Sequence, residues 1–251
     1  MEKSTIIKIF ERILNQATRF EQSPITTGAW RAPVTNFLAF AEQSFLDEIA
    51  ERLNQNPVDF RLTLLRYAQS KLDNDPTFEL DYEPLKMIGV IEDVASAASF
   101  GIGSKKQGLS AYYSHNSYVA EIAEIDEKEA EKIAKIYCSI DCGIVINPDA
   151  AKNQAQGGVI DGMGHAMYSE LTLTNGVPDQ SNFHQYRMIR MPEVPEVDIR
   201  FIKSDNSPTG LGEPTLPPAG GAVANALYQS TGKRIYSQPF ASNLSSDKVL
   251  G

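Results

Sequence analysis

A chain of 251 residues with 42% hydrophobic and 22% charged side chains is long enough to bury a core in one or two domains. Its 23 basic and 32 acidic residues leave a net charge of −9, and no basic cluster interrupts that balance, which argues against a nucleic-acid partner. No apolar run reaches the ~20 residues that a bilayer span needs and no signal-peptide core opens the chain, so no membrane span or export signal is expected, and cytoplasm and periplasm both stay open.

Thr5 to Gln16 has the composition of a helix. After a turn-rich TGAWRAP stretch, Leu38, Ala41, Phe45, Ile49 and Leu53 recur at three and four residues. That period predicts a helix burying those five, with Glu42, Asp47, Glu51 and Arg52 left in water. In NPVDFRLTLLRYAQ, Asn56 caps the next helix and Pro57 is its first residue. A further helix after Asp81 carries Leu85, Ile88, Ile91 and Val94 as its apolar stripe.

From about Gly103 the period changes. In IYCSIDCGI, residues Ile136, Cys138, Ile140, Cys142 and Ile144 alternate with polar positions, as in a half-buried strand. An extended strand would hold Cys138 and Cys142 on one face roughly 13 Å apart. That is too far for a disulfide or a shared metal, so both read as core thiols. INPDAAKNQ then starts a helix, with Asn147 as cap, Pro148 first and Asp149 near the positive helix end. LTLTNGV is a strand entering an Asn175-Gly176 hairpin turn, VDIRFIKS is another strand, and PPAGGAVANALYQSTGKR is a helix opened by proline and closed at Gly232. The class is α+β, mostly helical over 1–78 and mixed over 79–251.

Familiar catalytic signatures are missing. GIGSKKQG lacks the third glycine of a dinucleotide loop and the Gly-Lys-Ser/Thr of a phosphate loop, so it reads as a plain loop. There is no Gly-x-Ser-x-Gly and no His-Glu-x-x-His, and His115, His165 and His184 are far apart in sequence. Two features remain. On NQAQGGVIDGMGHAM, Gln154, Gly158, Asp161 and His165 fall on one helical face, with Gly157, Gly162 and Gly164 removing side chains nearby. Glycines inside a helix cost about 1 kcal/mol each relative to alanine, so they need a cause: close backbone packing, or close approach of a flat ligand. The second feature is Glu213, set between Gly212 and Pro214. It would serve either as a helix cap or as a general base positioned by rigid neighbours.

In order along the chain, AWRAP, FAEQSFLDEIA, NPVDFRL, DCGIVINPD, QAQGGVIDGMGHAMYSEL, QSNFHQYRMIRMPEVPEVDIRFIKSD, GLGEPTLPPAGGAVANAL and TGKRI are found between residues 28 and 240. This series resembles the large, molybdopterin-binding subunit of the xanthine dehydrogenase and aldehyde oxidase family of molybdenum hydroxylases, and within it most nearly the isoquinoline 1-oxidoreductase beta subunit. The resemblance implies that both segments, 1–78 and 79–251, belong to the molybdenum-cofactor-binding region. It implies a molybdenum centre on a molybdopterin cytosine dinucleotide, which hydroxylates an aldehyde or N-heteroaromatic carbon with water-derived oxygen, and Glu213 as the base. It places Gln154, Gly157, Gly158, Trp30, Arg31, Ala32 and Gly212 at the cofactor, although Pro33 has no N–H to offer there. No residue is assigned as a metal ligand.

The family's large subunit is considerably longer. The resemblance therefore implies that missing N-terminal segments complete the site, that a small iron-sulfur subunit carries [2Fe-2S] clusters which two cysteines cannot ligate, and that the chain alone is inactive. Two other readings stand beside it. One is a non-catalytic scaffold or interaction module that docks those missing segments. The other is a two-carboxylate glycoside hydrolase, which would need Asp161 or Glu170 within reach of Glu213.

Overall fold

The computed structural model describes residues 28–244, so the helix expected over Thr5–Gln16 lies outside the described residues. Three helices come first: α1 (Thr35–Arg52), α2 (Pro57–Asn74) and α3 (Pro84–Ala98). Strands β1 (Gln107–Ser114), β2 (Ser117–Ile125) and β3 (Ile133–Asp141) follow, then the long helix α4 (Pro148–Tyr168). A two-residue ribbon, β4 (Leu173–Thr174) with β5 (Val177–Pro178), leads to β6 (Glu196–Phe201), and α5 (Pro217–Thr231) ends the regular structure before a 3₁₀ turn at Phe240–Asn243.

The main sheet has the order β1-β2-β3-β6. β1, β2 and β3 pair antiparallel, and β6 joins β3 in parallel because α4 carries the chain back before β6 begins. Both faces are covered. Val119, Ala123, Ile136, Cys138 and Ile140 point into one core with Val159 and Met163 of α4 and Ala222, Val223 and Ala226 of α5. Their alternate neighbours Tyr118, Ala120, Ile122 and Tyr137 point into a second core with Val58 and Leu62 of α2 and Met87, Val90, Ile91 and Val94 of α3. The β3 stretch is therefore buried on both sides rather than half-buried as its alternation predicts; Ser139 on the second face is 0% exposed. Cys138 and Cys142 are buried free thiols.

Local signals place most helix starts. Asn56 Oδ1 accepts from Val58 and Asp59 N–H, and Asn147 Oδ1 accepts from Ala150 N–H, each just ahead of a proline. The buried face of α1 differs from the predicted one. The structure buries Ala39, Phe40, Gln43, Asp47 and Ala50, whereas Ala41, Phe45 and Leu53 are exposed. Polar groups displace the stripe. Asp47 pairs with Arg234 at 2.7 Å, and Gln43 accepts from Arg61 at 3.3 Å and from Ala111 N–H at 3.1 Å. Arg61 is itself buried, which pushes its guanidinium down to about 10 against the opposing pull of Asp47. A hydrophobic period cannot register a face built from such pairs. On α3, Leu85 is likewise exposed while Met87, Val90 and Ala98 join Ile91 and Val94 inside.

Candidate active site

Three segments far apart in sequence meet near α4, two of them touching it between Gln154 and His165. The first is the loop before α1, where Ala32 and Val34 adopt positive φ of 57° and 67°. This non-glycine left-handed geometry turns the Ala32 N–H to Glu213 Oε1, 3.1 Å away. Thr35 Oγ1 donates to Ala32 O and Asn36 Nδ2 donates to Arg31 O, which hold the loop in that shape. The Arg31 guanidinium then ties α4 to the Glu213 loop. Nε donates to Gly212 O at 2.6 Å, Nη2 to Gln154 O at 3.3 Å, and Nη1 lies 3.4 Å from Asp161 Oδ2. Trp30 stacks on His165 with ring centroids 5.4 Å apart.

The second segment is the β1–β2 connection, a two-residue turn in which His115 and Asn116 both have positive φ, 53° and 59°. Such a turn follows the twist of the strands it joins. It aims His115 Nε2 at Glu213 Oε2, 3.0 Å away, while Nδ1 lies 3.2 Å from Ser114 Oγ. The third segment is the loop from Ser204 to Leu216. Thr209 Oγ1 meets Ser117 Oγ at 2.6 Å, and the N–H groups of Thr209 and Ile144 bond Cys142 O and Asn206 O. This loop is thereby fastened to the hairpin and to the end of β3.

Glu213 does not cap α5. The helix begins at Pro217 with Leu216 as its N-cap, no side chain caps it, and its first turn holds no acidic residue. Instead the carboxylate hangs between a backbone donor and an imidazole, with about a third of its side chain open to solvent. It can still accept a proton, because an ionised carboxylate has about four lone-pair sites and two are used.

The predicted shared face of α4 is present. Gln154, Gly158, Asp161 and His165 all turn toward the Trp30–Ala32 loop or the residues after Glu213. Burial holds His165 below its ordinary pKa, with Asp161 pulling the other way, and its Nδ1 has no hydrogen-bond partner. The glycines divide. A Cβ on Gly158 would sit 2.0 Å from Thr215 Oγ1, and one on Gly162 2.4 Å from Leu216 O, so these two are packing glycines. Gly157 faces outward, and a Cβ there would meet nothing closer than the tip of Arg31 at 3.9 Å. We expect Gly158→Ala and Gly162→Ala to cost about 1–3 kcal/mol. Gly157→Ala should stabilise the helix by about 0.5–1 kcal/mol. Thermal unfolding of the three variants checks both signs.

His115 is the residue that sequence reasoning misses, because a histidine between two unrecognised strands carries no pattern. His184 stays outside, exposed on the 3₁₀ turn Phe183–Gln185. Among the described residues no three His, Cys, Asp or Glu side chains gather in a way that could hold a metal ion, and no helix is long and apolar enough to cross a membrane.

Residues 49–195, more than half of the chain, match the molybdopterin cofactor-binding domain family. The isoquinoline 1-oxidoreductase beta subunit of Brevundimonas diminuta is 31% identical over 215 residues, covering 84% of this chain and 26% of that protein. A nicotinate dehydrogenase subunit from Pseudomonas putida is 25% identical over 230 residues, covering 87% and 19%. The chain thus spans about a quarter or less of the length of these two relatives. In fold it is similar to the aldehyde oxidoreductase of Desulfovibrio gigas, with a TM-score of 0.61 at 13% identity, over 84% of this chain and 40% of that one. With a helical first part, a covered mixed sheet and this family match over the middle of the sequence, the chain belongs to the molybdopterin cofactor-binding domain family of the xanthine dehydrogenase and aldehyde oxidase enzymes.

Proposed function

We propose that this chain is the part of a molybdenum hydroxylase that carries the general base, Glu213, and that the complete enzyme oxidises an aldehyde or an N-heteroaromatic carbon with oxygen taken from water. One observation supports the assignment most: the carboxylate is held at both oxygens by groups from elsewhere in the fold and turned away from the helix it precedes. A carboxylate kept in one orientation with lone pairs to spare is what proton abstraction requires.

The surrounding residues fit the cofactor that the family implies. The Gln154 carboxamide, the Arg31 guanidinium and the bare backbone of Gly157 lie together, and a Cβ on Gly212 would meet only Gln154 Nε2, at 3.6 Å. Amide and cationic donors beside a surface without side chains suit a flat, hydrogen-bonding, anionic pterin dinucleotide. In this reading Gln154, Gly157, Gly212 and Arg31 hold it, and the exposed Trp30 covers one edge. Gly158 contributes by letting Thr215 and Arg31 approach, and Ala32 by orienting Glu213. When bound, the cofactor supplies the two-electron oxidation. The chain's own part is to bind it along α4, to hold Glu213 in place and to accept a proton there.

The pterin would be of the cytosine dinucleotide type, large-subunit segments outside this chain would close the site, and electrons would leave through a small subunit with [2Fe-2S] clusters. Residues 1–78 and 79–251 would be two parts of one cofactor-binding region. Trp30, Val34 and Phe37, each about half exposed beside the site, favour the docking of further segments there.

Molybdenum analysis tests the proposal. We expect none in the purified chain alone, and metal after co-expression with the missing segments and the iron-sulfur subunit. Stoichiometric metal in the isolated chain would show that it forms a complete site. Absence under both conditions would leave a non-catalytic docking module.

A further inference from the structure

We propose that His115 is the positioning residue for Glu213, and that its Nε2–H fixes the direction in which the carboxylate takes a proton. The inference rests on the reading of Glu213 as base and extends it to a residue on a different element.

The terminal torsion of a glutamate is broad, so a solvent-facing carboxylate samples many orientations. At Glu213 it cannot. Oε1 accepts from Ala32 N–H at 3.1 Å and Oε2 faces His115 Nε2 at 3.0 Å, so rotation in either direction breaks a bond. An ionised carboxylate only accepts, so Nε2 must carry a proton to bond it, whatever the charge of the ring. The Ser114 hydroxyl beside Nδ1 suits either ring form, because it can donate to a bare nitrogen or accept from a protonated one. The ring itself is set by the backbone. His115 occupies the first position of a turn with positive φ at both residues, and that turn is moored to the Glu213 loop through Ser117, Thr209 and Gly210. Base and imidazole therefore move as one unit.

The choice of variants follows from the turn. Asparagine tolerates the left-handed position but is too short to reach Glu213, so His115→Asn removes the contact and keeps the hairpin. Glutamine is long enough to return an N–H donor. In the full chain, long-range proton–nitrogen NMR should show a protonated His115 Nε2 whose proton exchanges slowly with solvent, and Glu213→Ala should abolish that protection. In the complete enzyme, His115→Asn should lower kcat about 10- to 100-fold, the scale of a slightly misplaced catalytic group. KM and molybdenum content should be unchanged, and His115→Gln should recover most of the rate. An unprotonated Nε2 would overturn the proposal. So would a His115→Asn enzyme as fast as the parent while Glu213→Gln is inactive, or a His115→Gln enzyme as slow as His115→Asn. If Glu213→Gln instead keeps full turnover, the base assignment fails, and the NMR result still decides whether the pair exists.

Discussion

Replacing Glu213 by Gln in the complete enzyme is expected to cut turnover by about 10²–10⁴-fold, the usual worth of a positioned general base. The exchange is isosteric. The amide oxygen can still accept from Ala32 N–H, so the loop that Arg31 and Thr209 hold should keep its shape. The capacity to accept a proton is lost, and with it the acceptor that faces His115 Nε2. Gln154, Gly157 and Arg31 do not depend on the charge of residue 213 for their place, so molybdenum and pterin should stay at parental levels. Steady-state kcat on a saturating aldehyde or N-heterocycle, beside elemental analysis, separates the outcomes. Near-parental turnover refutes the base role, whereas joint loss of rate and metal would make Glu213 a structural residue.

A second large effect is expected deep in the sheet. Glu121 of β2 lies opposite Ser110 of β1 and Cys138 of β3, fully buried. Apart from the Cys138 thiol across the β2–β3 pair, no partner reaches either of its oxygens, and Ser110 Oγ is unpartnered as well. Burial pushes the carboxyl well above the ordinary glutamate range and pushes the Cys138 thiol up too, with Glu121 and Asp198 adding to the latter. α5, packed over this face, has no charged residue between Pro217 and Thr231. The folded chain therefore keeps the Glu121 proton after the unfolded chain has lost it. The folded-state value is raised, so the stability it confers is complete below the unfolded value of about 4.3 and drains away as pH rises above it, by up to about 1.4 kcal/mol per pH unit. Glu121→Gln should lack this slope and gain on the parent as pH rises above the ordinary glutamate range. Denaturant unfolding of both proteins over that rise in pH checks it; parallel pH profiles would mean that Glu121 ionises freely in the fold.

What the sequence discloses and what it hides follow the range of the forces involved. Asn56, Asn147, Pro148, Pro217 and Gly232 mark helix ends through bonds within a few residues, and each stands where expected. The Asn175-Gly176 turn is equally local. The β1–β2 hairpin escapes a sequence pattern because its turn is His-Asn without glycine and because Tyr118, Val119 and Ala120 are all buried, which erases alternation. The face of α1 differs from expectation because Asp47 finds its cation 187 positions away. Glu213 stands out by its setting, yet its partners Ala32 and His115 are visible only in three dimensions, and the helix-cap alternative falls only because α5 starts without it.

The bond from Ala32 to Glu213 bridges 181 positions of sequence, and the contact of Ser117 with Thr209 bridges 92. Closing loops of such length costs entropy that one bond alone does not offset, so these junctions depend on the docking of whole elements around them. A chain emerging from synthesis has no oriented carboxylate until α1, the hairpin and α5 have all docked. In the proposed reading, this chain's share of the cradle is thus present only in the complete fold, ready for the segments that would close it.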